Sequence, residues 1–420
     1  MNLKVSKNIL LTLSGMFVFQ STSLLVALFL SKIGEFNIFG QYQFFISTCS
    51  FFILLAKSGI DEKISYSFTG KQIWNINDQK ENKIISNLNI SFFLSLFASI
   101  ATVIFYGLYY LFSDVKIDFL ISFYAFLYIP PFILVIMISS LFRAQNDILN
   151  RTISTYYIPA FFFISFIGFF YYLFDLNIYL FLISRVSTYI LAAVFCFWII
   201  YEKFKFNNHI QIFNYKNLNK KTLKTLISNW FLFPLICFLF ETGTYFVWIL
   251  RTFNTDEFIG KFSVIFKISS LALIFPLAIS IVITPYAVKK FKDKNTLLKE
   301  RNLIMVTTFI SCVFLLSIYT FFGDEIMLTL NSTLLGYKNG LLLLTSCISF
   351  IAITSPLQSL MLAQNKVKDV FKINLISILV ATIPLFWLSS INDFLSSIQL
   401  ISLSIFIFGT IRLTYIFKIK

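Results

Sequence analysis

Twelve apolar stretches of about 19–29 residues, divided by short polar loops, run along the chain from Ile9 to Phe417. A hydrocarbon core about 30 Å thick takes roughly 20 helical residues to cross. Inside it, every backbone N–H must be satisfied within its own segment or a closed barrel. The ten-residue alternation of barrel strands is absent. The pattern therefore predicts an all-α membrane protein. Its helices are expected at about 8–30, 38–56, 89–111, 119–142, 153–174, 177–201, 226–250, 260–288, 302–322, 339–363, 371–389 and 395–417. The first stretch is about 23 residues long with no small-residue cleavage site after it, and reads as a retained helix.

Composition agrees: 58% of residues are hydrophobic, 13% are charged and the mean hydropathy is +0.83. The net charge of +15 could suggest nucleic acid, but its placement gives another reason for it. With the helices above, 27 of the 34 Lys and Arg fall on one side of the membrane, Arg143, Arg151, Arg301 and Arg412 among them. The other side keeps only Lys32, Lys116, Arg251, Lys261 and Lys338, and Arg185 and Lys267 lie inside helices. By the positive-inside rule both termini are cytoplasmic, and the charge is a topology signal. No nucleic-acid partner is expected. The outer connections are short, the longest being residues 322–338, so no external domain can form. The basic segment 202–225 either lies on the inner leaflet or is a solvated loop.

The two halves echo one another. Ser140-Leu141-Phe142-Arg143-Ala144-Gln145-Asn146 ends helix 4, and Ser359-Leu360-Met361-Leu362-Ala363-Gln364-Asn365 ends helix 10, offset by 219 positions. Glu35-Phe36-Asn37-Ile38-Phe39-Gly40 opens helix 2 and Glu257-Phe258-Ile259-Gly260 opens helix 8, with the glycines offset by 220. Six helices per half, both starting inside, imply parallel repeats about an axis along the membrane normal. The expected organisation is an N-terminal half 1–201, a cytoplasmic linker 202–225 and a C-terminal half 226–420.

The same residues carry a resemblance. Ile33-Gly34-Glu35-Phe36-Asn37-Ile38-Phe39-Gly40-Gln41-Tyr42 is similar to the LG-x-x-x-FG-x-Y signature of polysaccharide flippases, with Ile33 in place of Leu. Ala56-Lys57-Ser58-Gly59-Ile60, the Arg143-Ala144-Gln145-Asn146 turn, Asp256–Phe262, and Pro276 and Pro285 fit it too. The chain thus resembles the multidrug/oligosaccharidyl-lipid/polysaccharide exporter superfamily, and within it the O-antigen flippases. The resemblance implies a MATE-like fold and a place in the bacterial inner membrane. It also implies ion-coupled export of an undecaprenyl-diphosphate-linked oligosaccharide, with membrane lipids and other polysaccharide-assembly proteins as partners. No cofactor and no enzymatic activity are implied.

Charged groups inside a bilayer are costly and usually face a cavity or a partner. Arg185 lies about 8 residues into helix 6, Glu241 about 9 from the outer end of helix 7 and Lys267 about 7 into helix 8, all roughly 10–13 Å deep. One reading is a cationic patch for phosphate or acidic sugar, with Glu241 as the ion-coupling acid. The other is that Lys267 snorkels outward while Arg185 and Glu241 form a structural pair. Gln20, Thr22 and Ser23 could line the same cavity, although hydroxyls often bond only their own helix. Arg143 could meet a diphosphate before transport, or could serve topology alone.

Other chemistry is poorly supplied. His209 is the only histidine, the five cysteines are unpaired in spacing, and no glycine-rich phosphate loop exists, so metal and ATPase chemistry are not expected. Pro130, Pro131, Pro234, Pro276, Pro285, Pro356 and Pro384 are hinge or packing-kink candidates. Two rival functions remain: a multidrug exporter of the same fold, and a membrane polymerase or glycosyltransferase. The first would favour acidic cavity residues and the second a sizeable external loop.

Overall fold

The computed structural model describes residues 3–33, 35–57, 60–61, 64–65, 78–112, 119–173, 176–204, 242–290, 294–363, 367–391 and 393–418. Among them every regular element is helical. In chain order these are α1 Leu3–Lys32, α2 Phe36–Lys57, α3 Asp78–Phe112, α4 Phe119–Ala144, α5 Ile148–Leu173 and α6 Ile178–Phe204. The second set is α7 Thr242–Phe253, α8 from Asp256 to Lys290, α9 Lys294–Leu330, α10 Lys338–Ala363, α11 Val367–Ala381 and α12 Phe394–Lys418. Among the described residues, ten helices are long and apolar enough to cross a membrane, judged by length and composition.

Several helices depart from the expected bounds, each for a local reason. α9 is 37 residues long and absorbs half of the connection expected at 322–338. Asn331 stops it, its side chain accepting from the Thr333 N–H, while Asp324 pairs with Lys338 at 2.8 Å across the shortened loop. α11 was expected to run to residue 389; it ends at Ala381 and passes into a 3-10 turn, Ile383–Ser390, that contains Pro384. Proline has no N–H to continue the ladder. α8 starts earlier than expected because Thr255 caps it, accepting from Phe258 N–H. It then breaks at a 3-10 turn, Ser270–Leu273, ahead of Pro276. α5 carries a π-turn at Ile153–Tyr157 just before Pro159, which absorbs the carbonyl that proline leaves without a donor. Asp393 caps α12, accepting from Ser396 N–H and Oγ, and these bonds hold its carboxyl below the usual carboxylate range.

Contacts divide the chain into two compact units: Met1–Phe44 with Leu239–Lys420, and Phe45–Phe238. The division falls within α2; of the expected 202–225 linker, residues 205–225 lie outside the described residues. In the first unit, α1 packs along α8, α8 and α9 pack on α10, and α12 lies against α10 and α11. Ile9, Ile279, Val282, Ile304 and Leu360 form an apolar centre drawn from α1, α8, α9 and α10.

The start of α2 joins this unit through a glycine contact. A methyl added to Gly40 would overlap the Asp256 carbonyl, and one added to Gly260 would overlap the Phe36 carbonyl. Each glycine faces the residue four positions before the other. Two helices meet this closely only where side chains are missing. The reciprocity gives the 220-residue sequence offset a local two-fold relation in space. Beside it, Arg251 at the end of α7 forms an ion pair with Asp256 and lies over the Phe44 ring at 4.6 Å.

In the second unit, α4 packs on α3 and α6, and α5 packs on α6. Tyr128, Phe132 and Tyr189 make a compact aromatic group, with Phe132 and Tyr189 centroids 4.6 Å apart. α4 ends in a Schellman motif. Asn146 is left-handed (φ 63°), its N–H bonds the Arg143 carbonyl, and the Asp147 N–H bonds the Phe142 carbonyl. Asp147 then caps α5. The Arg-Ala-Gln-Asn turn is thus a helix stop followed at once by a helix start. Its counterpart in the second half stops α10 at Ala363, the position equivalent to Ala144, while Gln364 and Asn365 lie outside the described residues.

Candidate functional site

Lys267 sits in the last turn of α8 before its 3-10 break. The break leaves carbonyls to be satisfied by side chains: Ser270 Oγ donates to the Lys267 carbonyl at 2.8 Å, and Tyr319 OH of α9 donates to the Ile268 carbonyl at 2.7 Å. The Lys267 ammonium does not extend along its own helix. It donates to Ser23 Oγ on α1 and lies over the Phe39 ring of α2 at 5.2 Å. Gln20, half-buried, stands one turn before Ser23 on the same face of α1. Lys267, Ser23 and Phe39 therefore form one polar group inside the first unit, where α1, α2 and α8 converge. Thr22 does not join it; its hydroxyl bonds the Val18 carbonyl of its own helix.

Arg185 belongs to the second unit. Its guanidinium is half-buried between two aromatic faces, 4.8 Å from the Phe163 ring on α5 and 5.2 Å from the Tyr189 ring one turn along α6. Stacking of this kind holds the plane of the guanidinium. Arg143 is 8% exposed and lies in the last turn of α4, directly before the Schellman stop. Glu241, the expected ion-coupling acid, lies outside the described residues, as do His209, Cys237 and Pro234.

Four arginines counted as topology charges prove to be buried: Arg143 and Arg151, each 8% exposed, and, more deeply, Arg251 and Arg412. Arg251 is 4% exposed and engaged by Asp256 and Phe44. Arg412 is fully buried in α12. Nothing in the local sequence separates them from loop-flanking arginines, because both stand within a turn or two of a helix end. Among the described residues no group of His, Cys, Asp and Glu could hold a metal ion. Among the described residues, Asp324 and Glu325 lie within the span of α9, about a turn and a half from its end, and the other acids lie at or near helix ends or in loops.

No protein-family model matches the sequence, and no curated protein matches it. Solved structures do match. The crystal structure of a MATE in complex with MaD5 aligns over 99% of this chain and 96% of its own, with a TM-score of 0.73 at 11% identity. A multidrug resistance MATE-family transporter of the MOP superfamily, in an outward-facing conformation, aligns over 99% and 97%, with a TM-score of 0.70 at 12% identity. A MOP-superfamily transporter from Pyrococcus furiosus, described as having a binding pocket of reversed polarity that suggests a different function, aligns over 99% and 95%, with a TM-score of 0.69 at 11% identity. At such low identity and near-complete coverage, what is shared is the architecture: the chain has the twelve-helix fold of the MATE transporters.

Proposed function

We propose that this protein is a transporter of the MOP superfamily that exports a lipid-linked oligosaccharide across the bacterial inner membrane by alternating access. The carrying observation is the sign of the interior charge. Arg185 and Lys267 are held in place by aromatic and hydroxyl partners within apolar helices, while the acids described within a span, Asp324 and Glu325, lie in the last two turns of α9, where Asp324 pairs with Lys338. Cations kept at membrane depth suit an anionic cargo, such as a diphosphate with its sugars, better than the cationic drugs for which acidic residues would be expected. The Pyrococcus furiosus transporter supports the principle, since reversed pocket polarity on this fold was taken there to suggest a different function. Multidrug export is the second reading, favoured by the similarity to a multidrug resistance transporter. The missing external domain argues against a polymerase or glycosyltransferase.

Loss of the protein should leave lipid-linked repeat units facing the cytoplasm and abolish the surface polysaccharide, with drug tolerance unchanged. Normal polysaccharide with raised drug sensitivity would instead establish the multidrug reading. Arg185→Ala and Lys267→Ala should each lower export roughly tenfold at matched protein level, about the loss of one charge-assisted hydrogen bond to the cargo. Arg185→Lys should recover part of it, since the charge survives while the planar fork does not. Glu241→Gln should uncouple export from the ion gradient more than it weakens binding. Full export by both alanine variants would remove these cations from the mechanism.

The proposed orientation has both termini inside. Reporter fusions after Asn254 and Asp393 should score external, and those after Lys216 and Lys294 cytoplasmic. A cytoplasmic Asp393 fusion would break the arrangement of two six-helix repeats.

A further inference from the structure

What holds Lys267 in place extends beyond its own helix. α8 consists of two α-helical segments, Asp256–Ser269 and Ile274–Lys290, joined by the 3-10 turn Ser270–Leu273. A 3-10 turn closes its ring one residue early and with poorer hydrogen-bond geometry than the α-helix on either side. By itself such a joint fixes the angle between its two segments weakly. That angle matters for Lys267, which stands three residues before the joint on the segment that packs along α1.

A side chain from another helix enters the joint. Tyr319 of α9 donates its hydroxyl to the Ile268 carbonyl at 2.7 Å. Tyr319 is 2% exposed and Ile268 5%. A buried hydroxyl costs free energy unless it is bonded. α9 carries phenylalanine at positions 309, 314, 321 and 322; at 319 the extra oxygen is offset by its bond to this carbonyl, which belongs to the residue next to Lys267. Three bonds thus converge on two adjacent residues. Ser270 Oγ donates to the Lys267 carbonyl, Tyr319 OH donates to the Ile268 carbonyl, and the Lys267 ammonium donates to Ser23 Oγ of α1 while lying over Phe39 of α2. The first is made within α8 and travels with it. The second ties the backbone of the joint to a neighbouring helix. Without it the segment can turn, and the long lysine side chain can swing out toward the headgroups, as basic side chains near a membrane surface do.

We propose that Tyr319 is a positioning residue of the cationic site: its bond to the Ile268 carbonyl sets the joint of α8 so that the Lys267 ammonium turns inward to Ser23 and Phe39, where it meets an anionic cargo. The use of this geometry in export rests on the reading of Lys267 as a cargo-binding cation; the geometry itself does not. Tyr319 touches no cargo and acts through Lys267.

Tyr319→Phe keeps the buried ring and removes one oxygen, so the fold is preserved. Two measurements on the full chain test the inference. The first reads geometry without cargo. Cysteines replace Ser23 and Lys267 in a chain whose five native cysteines are alanine, and a short bifunctional thiosulfonate bridges them in membranes. Bridging should be about fivefold slower with Tyr319→Phe, what one net hydrogen bond is worth. The second reads export of the surface glycan at matched protein level. Tyr319→Phe should lower it about fivefold. Combined with Lys267→Ala it should lower export no further than Lys267→Ala does alone, because nothing is left to position. A tyrosine that served stability alone would add its loss to that of Lys267→Ala. Equal bridging rates, additive losses, or full export by Tyr319→Phe beside reduced export by Lys267→Ala would overturn the inference. Slower bridging together with full export by Lys267→Ala would leave the geometry standing and overturn the reading of Lys267 on which its use in export rests.

Discussion

Alanine at Gly40 or at Gly260 is expected to destabilise the protein by about 1–3 kcal/mol or more, the usual penalty of overpacking. The added methyl would meet a backbone carbonyl, that of Asp256 or of Phe36, which cannot swing aside as a side chain can. The helices must therefore separate, and α2 and α8 lose their contact along the whole of their first turns. Because the geometry is reciprocal, the two substitutions should be close to equal in effect. The double variant should be less than additive, since the first methyl already opens the gap that the second needs. Melting of the detergent-solubilised protein reads this directly. Two alanine variants that accumulate and melt like the wild type would mean that α2 and α8 do not touch.

The second large effect is expected at Arg251. Its ion pair with Asp256 is nearly sealed from solvent, the two side chains being 3% and 11% exposed. Arg251→Met leaves the Asp256 carboxylate without its cation, and breaking a buried pair from one side costs about 3–5 kcal/mol. Arg251→Lys should fall between, keeping the charge and losing the flat stacking on Phe44. Arg251→Met with Asp256→Asn should regain much of the loss, because no charge is then stranded. A double-mutant cycle with no coupling energy would show that the two side chains are independent.

Both predictions concern residues that the sequence places next to its repeat motif, and they divide instructively. Gly40 and Gly260 stand out in the sequence as a pair at matching positions of two helices, and the close approach explains why a glycine stands at each. Arg251 does not stand out. Read along the chain it is one of five cations near the outer surface, and its partner Asp256 is an ordinary first-turn acid. Only packing against Phe44 turns the pair inward. Arg412 is the stronger case. It stands near the end of an apolar helix as a topology-setting arginine would, yet it is completely buried. Lys267 lies between these extremes: its depth was countable from residue spacing, but whether its long side chain turned outward or toward Ser23 depended on where α1 lies.

The sequence by itself determined the membrane, the number of helices and the class of fold. Each of these follows from one-dimensional quantities: the length of an apolar run against bilayer thickness, and the recurrence of turn residues at a fixed offset. The tertiary structure decided which charges are internal, where helices break, and which residues share a site. Those depend on neighbours far apart in the chain, as when Ser23 meets Lys267, Phe163 meets Arg185 or Ser404 meets the Ala381 carbonyl. Hydropathy scores a residue by its own transfer energy, whereas a buried charge is settled by the partners that other helices bring to it.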